Sequence, residues 1–297
     1  METSLPQVPG AATRPRPAGG LVCRGRDLLR DRSFLLMGIV NVTPDSFSDG
    51  GKFLDSAAAV AHGVKLADEG ADILDIGGES SRPGSDPVSG EEELRRLLPV
   101  LAGLRKALPE TVLSVDTTKA AVAAPALDAG ADMVNDISGG TFDPAILTLC
   151  AGRGASMVLM HMRGRPKTMQ DQVAYGDVAA EVASELHARA NAAERAGLGP
   201  GHIVVDPGIG FSKRPEHNLA LIAHLESLVS LGYPVLVGAS RKSTIGVLTG
   251  APVTGRLPGT LALHTAAFLK GASLFRVHDI REHMQALTCA EALLGAR

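Results

Sequence analysis

GADILD at Gly70–Asp75 returns in altered form three more times: GADMVND at Gly130–Asp136, GASMVLM at Gly154–Met160 and GASLFRV at Gly271–Val277. In each copy a glycine closes a helix-forming stretch and an apolar run follows at once. Glycine takes the left-handed backbone that ends a helix, and the apolar run reads as a strand returning through a sheet. Four copies of one helix-to-strand junction imply βαβ units.

The rest of the chain repeats that alternation. Apolar runs predict strands over Phe34–Val40, Ile73–Ile76, Val112–Val115, Met133–Asn135, Ser156–Met160, Ile203–Val205, Val235–Val237 and Leu274–Val277. Most lack a two-residue alternation, as expected of a parallel sheet buried on both faces. Between them, amphipathic stretches such as Ser56–Glu69, Glu91–Ala107, Lys119–Asp128, Tyr175–Ala196 and Gly259–Lys270 predict helices. Eight strands in roughly 250 residues match a (β/α)8 TIM barrel, a single α/β domain over residues 21–297. A doubly wound open sheet is the rival, but no Gly-rich dinucleotide fingerprint follows the first strand. Residues 1–20, rich in Pro, Gly and Ala, are expected to form a disordered tail.

Composition bounds the function. The 297 residues are 45% hydrophobic and 21% charged with a net charge of −3, so a nucleic-acid partner is not expected. No apolar stretch approaches the ~18 residues of a membrane span. The N-terminus lacks the basic-then-apolar pattern of a signal peptide. Cys23, Cys150 and Cys289 are odd in number and widely spaced, which predicts a reduced, cytoplasmic setting without a disulfide framework.

A closed barrel brings the C-terminal ends of its strands to one pocket, so the residues after each apolar run form a set. Asn41 ends the first run, and GGESSRPGS with Glu79, Ser81 and Arg82 follows the second. Asp116 ends the third, Asn135 and Asp136 the fourth. His161 and Arg163 follow Met160, and Asp206 opens DPGIGF. The seventh run leads into Ser240, Arg241, Lys242 and Ser243, and the eighth carries Arg276, His278 and Asp279. A lone polar residue at a strand end is more often a helix cap, and Asp116 and Asp136 each fit that role. Eight such ends in succession point instead to a shared site.

By chemistry the set divides in two. Asp116, Asn135 and Asp206 suit the donor-rich edge of a flat heterocycle such as an aminopyrimidinone. Asn41, Arg276 and His278 suit a phosphate or diphosphate. Lys242 is a movable point charge able to reach between them. The polar loop after Asn41, with Phe47 and Asp49, reads as a cover over Val42–Phe53 that orders on substrate binding. Phe211, in the GIGFSK turn, is a second aromatic placed to meet a ligand. Other chemistries lack their signatures: there is no HExxH, CxxC or GxSxG, and GASRKST departs from a phosphate loop at Leu236 and Arg241.

Taken together, NVTPDSFSDGG, DIGGESSRPGS, SVDT, VND, LMHM, DPGIGF, GASRKS and RVHD resemble the dihydropteroate synthase family of pterin-binding barrels, in the family's order from about Phe34 to the end. The resemblance implies condensation of 6-hydroxymethyl-7,8-dihydropterin diphosphate with p-aminobenzoate. It assigns the pterin to Asp116, Asn135, Met160, Asp206, Phe211 and Lys242, and the diphosphate to Asn41, Arg276 and His278. Asn41 would also reach Mg2+. Phe47, Ser81, Pro83 and Ser243 would shape the p-aminobenzoate site, and Asp49 and Arg82 would help close the loops over the catalytic centre. An SN1-like substitution without a covalent enzyme intermediate is implied, in a homodimer. Ser81 departs from the threonine often found there: the hydroxyl is kept and a methyl lost. Two alternatives share the barrel, a pterin-dependent methyltransferase and a pterin-binding paralogue without catalysis. Neither requires the whole set of loop and anion-site residues seen here.

Overall fold

The computed structural model describes residues 20–42, 52–81, 84–171 and 173–295, with residues 52–55 described in backbone only. Residues 1–19 of the expected 1–20 tail and residues 43–51 of the expected cover, including Phe47 and Asp49, lie outside the described residues, as do Arg82 and Pro83.

Ten strands are present among the described residues. β1 (Val22–Cys23) and β2 (Arg26–Asp27) form a small antiparallel hairpin. β3 (Leu35–Asn41), β4 (Ile73–Gly77), β5 (Val112–Asp116), β6 (Met133–Asp136), β7 (Ser156–Met160), β8 (Ile203–Asp206), β9 (Leu236–Val237) and β10 (Leu274–Val277) pair in parallel. The order β8-β7-β6-β5-β4-β3-β10-β9 is closed into a ring by one parallel bridge, Val205 to Val235. The (β/α)8 expectation is met, with each predicted strand found within a residue or so. β9 starts one residue late, where Pro234 precedes Val235 and has no N–H to give a ladder.

Helices α1 (Lys52–Asp68), α2 (Gly90–Ala107), α3 (Ala120–Asp128), α4 (Ala145–Arg153), α5 (Val178–Arg195), α6 (Pro215–Ala223), α7 (Glu226–Val229), α8 (Ser243–Thr249), α9 (Leu257–Leu269) and α10 (Ile280–Gly295) fill the connections. Their ends follow local chemistry. α2 begins where the Ser89 hydroxyl accepts the Glu92 N–H, carries Glu91–Glu93 in its first turn and Arg105 and Lys106 in its last, and so complements its dipole at both ends. α5 starts at Val178, three residues later than expected, because the Asp177 carboxylate accepts the Ala179 and Ala180 N–H groups and fixes the start there.

The repeated junction has one mechanism. Gly70, Gly130, Gly154 and Gly271 all take positive φ. In every copy the alanine that follows donates to the carbonyl five residues back: Ala71 to Leu66, Ala131 to Ala126, Ala155 to Cys150 and Ala272 to Ala267, at 2.9–3.0 Å. These are 6→1 helix-terminating bonds. In the two GAD copies the aspartate then seats the new strand. Asp72 accepts from the Leu36 N–H (2.8 Å) and Asp132 from the Leu113 N–H (3.0 Å).

Side chains inside the ring change character with height. Leu35, Met37, Ile73, Val112, Met133, Val158, Val204, Leu236 and Leu274 form an apolar lower layer, which Leu21, Cys23 and Leu29 of the hairpin segment seal from below. That hairpin was not foreseen. Two residues further along the strands, the interior turns polar with Asp75, Ser114, Asn135 and Arg276. Outside the ring, Leu36, Val40, Leu74, Ile76, Val115, Val134, Leu159, Val205 and Phe275 pack on the helices. The apolar base holds the barrel rigid, and the polar upper half is left for a ligand.

Candidate active site

The floor of the site is organised by a carboxylate that strand-end reasoning missed. Asp75 is fully buried in the middle of β4. It accepts from the Ser114 hydroxyl on β5 (2.6 Å), the Asn135 amide on β6 (3.0 Å) and the Arg276 Nε on β10 (2.6 Å). Arg276 spends a second nitrogen, Nη2, on Asp116 at 2.9 Å. Because Asn135 donates its NH2 to Asp75, its carbonyl is turned away from Asp75. The signal for Asp75 was present as an acid inside an otherwise apolar strand run, ILDIG.

Beside this hub, the carboxyls of Asp116 and Asp206 are both raised above the ordinary carboxylate range. Burial raises the Asp116 carboxyl to about 7, against the pull of Arg276 and with the help of Asp75. Asp206 is raised to about 6, again by burial, although it accepts the Gly208 N–H at 2.7 Å and faces Lys242 and Lys213. Lys242 is pushed down to about 8 by burial and by Arg276, with Asp206 and Asp116 opposing. Its ammonium sits 4.1 Å from the centre of the Phe211 ring. Phe211 packs with Met160, Ile137, Met162 and Met169 in a small apolar cluster of their own. Carboxylates, an amide, a lysine and an apolar cluster are therefore brought together at the strand ends.

The neighbouring side is built from the β9 and β10 loops. The Ser240 hydroxyl accepts the His278 backbone N–H (3.3 Å) and lies 2.9 Å from His278 Nδ1, so that it ties the ring to the β9 loop. When the Ser240 proton is given to Nδ1, Nε2 carries the ring hydrogen and is a donor. Burial, with Arg241 and Arg276, lowers His278 to about 4, which leaves a neutral donor until an anion arrives. Three side chains at four-residue spacing on and just before α9 hold the backbone of this loop. His264 Nε2 accepts the Ala239 N–H (2.9 Å), Thr260 Oγ1 accepts the Arg241 N–H (3.0 Å), and Arg256 donates to the Arg241 carbonyl (3.1 Å). His264 in turn meets His283 of α10 at 3.0 Å, and His283 donates to the Asp279 carbonyl. Arg241, at φ +55, forks onto the Asp279 carboxylate.

The remaining expected residues are placed as follows. Asn41 ends β3, half-buried at the mouth and level in register with Gly77, itself level with Asp116 and then Asn135. Ser81 lies half-buried after β4, and Ser243 is exposed as the first residue of α8. Other polar strand ends support loops instead. Asp136 caps its own turn through the Ser138 and Gly140 N–H groups. Glu79 accepts the Val88 N–H and pairs with Lys119. Arg163 pairs with Glu181 and Glu185 of α5. Ser240 stood in the strand-end set, but its role in aiming His278 is visible only across two strands.

A barrel that gathers carboxylates, an amide, a lysine and a neutral imidazole at one mouth has the donors and acceptors to take a flat polar ring carrying a negative group. The chain belongs to the family described as pterin binding enzymes, whose pattern matches residues 37–278. A dihydropteroate synthase from a Synechocystis species is 47% identical over 259 residues, which cover 87% of this chain and 89% of that protein. The Xanthomonas albilineans dihydropteroate synthase solved with 4-aminobenzoic acid has a TM-score of 0.87 and 48% identity, covering 96% of this chain and 100% of that one. A structure of the Xanthomonas albilineans synthase in complex with 7,8-dihydropteroate gives 0.84 and 46%, over 93% and 99%. Within the pterin-binding enzymes, then, this chain stands among the dihydropteroate synthases, transferases of folate synthesis.

Proposed function

We propose that the chain joins 6-hydroxymethyl-7,8-dihydropterin diphosphate to p-aminobenzoate, forming 7,8-dihydropteroate and releasing pyrophosphate. The observation that carries this reading is the pairing, at one barrel mouth, of the Asp116–Asn135–Asp206–Lys242 floor with the Ser240-aimed imidazole of His278. The floor matches a pterin: carboxylate and amide oxygens take the ring's N–H groups, and Lys242 donates to a ring acceptor. Met160 and Phe211 supply the apolar walls for its faces.

Arg276 and His278 face the diphosphate. With Nε and Nη2 committed to Asp75 and Asp116, Arg276 keeps Nη1 for a phosphate oxygen, and His278 donates from Nε2. Cleavage of the carbon–oxygen bond leaves positive charge on the pterin, which the floor carboxylates favour, and negative charge on pyrophosphate, which these donors stabilise. The p-aminobenzoate amine then attacks the exocyclic carbon beside Ser81 and Ser243 and gives up its surplus proton to solvent or to the departing pyrophosphate; Phe47, Pro83, Asp49 and Arg82, which the family resemblance adds to this half of the site, lie outside the described residues. No nucleophilic side chain is required, and separate stabilisation of the two developing charges favours a dissociative substitution. Trapping a covalent enzyme–pterin adduct would overturn that mechanism.

Among the described residues no group of three or more His, Cys, Asp or Glu is gathered that would hold a metal. A hard cation such as Mg2+ still fits the donor set, because Asn41 offers one amide oxygen and the diphosphate the others. When bound, Mg2+ adds positive charge at the leaving oxygens.

Val247 and Leu248 of α8 and nearby Val253 are exposed apolar side chains, which supports a homodimer packed through outer helices. No helix among the described residues is long and apolar enough to cross a membrane. Free thiols at Cys23, Cys150 and Cys289 support a cytoplasmic setting. The test is direct: folded protein given the pterin diphosphate, p-aminobenzoate and Mg2+ yields dihydropteroate. Absence of that product rejects the assignment.

A further inference from the structure

Lys213 has almost no exposure, lies behind Phe211 and, among the described residues, has no carboxylate in contact. Its three protons have three acceptors. They are His161 Nδ1 at 2.9 Å, the Phe211 carbonyl at 3.0 Å and the His161 carbonyl at 3.3 Å. An ammonium only donates, so His161 Nδ1 accepts and Nε2 carries the imidazole hydrogen, which goes to Glu185 of α5 at 3.0 Å. Burial lowers His161 to about 4, in keeping with a neutral ring. Burial also brings Lys213 down to about 7, with Asp206 opposing it and Arg189 adding to it.

The turn that this cation holds is under strain. Ser212 takes φ +46 and is secured from both sides: its hydroxyl accepts the Arg163 N–H (3.0 Å), and its carbonyl accepts the Tyr175 hydroxyl (3.1 Å). Gly208 lies so close to the strand-end backbone that a Cβ there would fall 2.1 Å from the His161 carbonyl oxygen. Between Gly208 and Lys213 the one large apolar side chain turned toward Lys242 is Phe211. A non-glycine left-handed residue and a buried cation are both costly, and they persist only where surrounding contacts over-determine them.

We propose that Lys213 is a positioning residue for pterin binding: its ammonium, clamped between His161 and the Phe211 carbonyl, holds the 207–213 turn so that Phe211 forms the wall of the pterin cavity. The inference rests on the pterin-site reading above. Lys213 touches neither substrate and acts through Phe211.

The experiment compares wild type, Lys213→Met, Phe211→Ala and the double variant in steady-state synthesis of dihydropteroate. Wild-type turnover tests the functional reading separately. For Lys213→Met the expected result is a KM for the pterin diphosphate raised about tenfold, a KM for p-aminobenzoate changed less than twofold and a kcat within threefold. Phe211→Ala raises the same KM, and the double variant is no worse than Phe211→Ala alone, because one wall is lost either way. Multiplicative losses in the double variant, or equal rises in both KM values, would overturn the proposal. If Lys213→Met fails to fold, Lys213→Gln, which restores one donor, replaces it and is expected to recover part of the affinity. A Lys213→Gln enzyme with wild-type KM values likewise refutes it.

Discussion

Asp75→Asn is the sharpest probe of the floor, because it removes charge while keeping shape. The amide oxygen can stand where Oδ2 accepts from Asn135 and Arg276, and the new NH2 then faces Ser114, whose hydroxyl can turn to accept. Hydrogen-bond count is preserved, and the loss falls on the buried ion pair with Arg276. Breaking such a pair costs about 3–5 kcal/mol. Arg276 keeps Asp116 as a second partner at 2.9 Å, so the low end applies, about 3 kcal/mol. At about 2 °C per kcal/mol for a domain of this size, the melting temperature falls by about 6 °C. Urea titration with linear extrapolation measures the loss, and the same substitution in an Arg276→Met background isolates its cause. If the cost is the unpaired guanidinium, Asp75→Asn is neutral or stabilising in that background. An equal cost in both backgrounds, or less than about 0.5 kcal/mol in the wild type, would refute the reasoning.

Other outcomes follow from the same geometry. Lys242→Ala and Arg276→Ala each lower kcat/KM for the pterin diphosphate by at least ~10²-fold, the scale of losing a preorganised donor; near-wild-type rates in both would place the anion elsewhere. The pH profile of kcat/KM should rise through about 7 as Asp116 loses its proton and fall above about 8 as Lys242 loses its own. Lys242→Arg, charged throughout, keeps the acid limb and loses the alkaline one, and an alkaline limb unmoved in that variant would assign it to another group. His264→Leu strands the buried Ala239 N–H and costs about 2 kcal/mol in urea unfolding. His264→Gln, whose oxygen can accept that N–H, should recover at least half of the loss.

Much of the fold was legible because its signals are local. Each GAD or GAS junction ends its helix with a bond spanning six residues, so a single chain displays it. The β1–β2 hairpin was not legible: two strands of two residues have no periodicity, and their worth lies in sealing a ring formed by distant segments. The site divides in the same way. Asn135, Asp206 and Lys242 stand at strand ends, where the barrel converges. Asp75 lies one step inside β4, and its importance comes from Ser114, Asn135 and Arg276 on three other strands. Polar residues at strand ends could not be sorted by sequence either. Asp136 serves its own turn and His161 serves Lys213, and only the side chains facing them decide which is which.

The ring of strands has one weak seam. Between β7 and β8 four residue pairs are in register, whereas β8 meets the β9 segment only at Val205 and Val235. Asp206 stands on one lip of that seam and the Lys242 loop on the other, and the proposed pterin would touch both. A bound substrate is then also a suture, joining the two lips that the backbone leaves nearly unstitched. Amide protons at Val205 and in β9 should exchange more slowly once the pterin is in place, while those of β3 to β7 stay unchanged. On the proposed reading, the ligand completes the wall that recognises it.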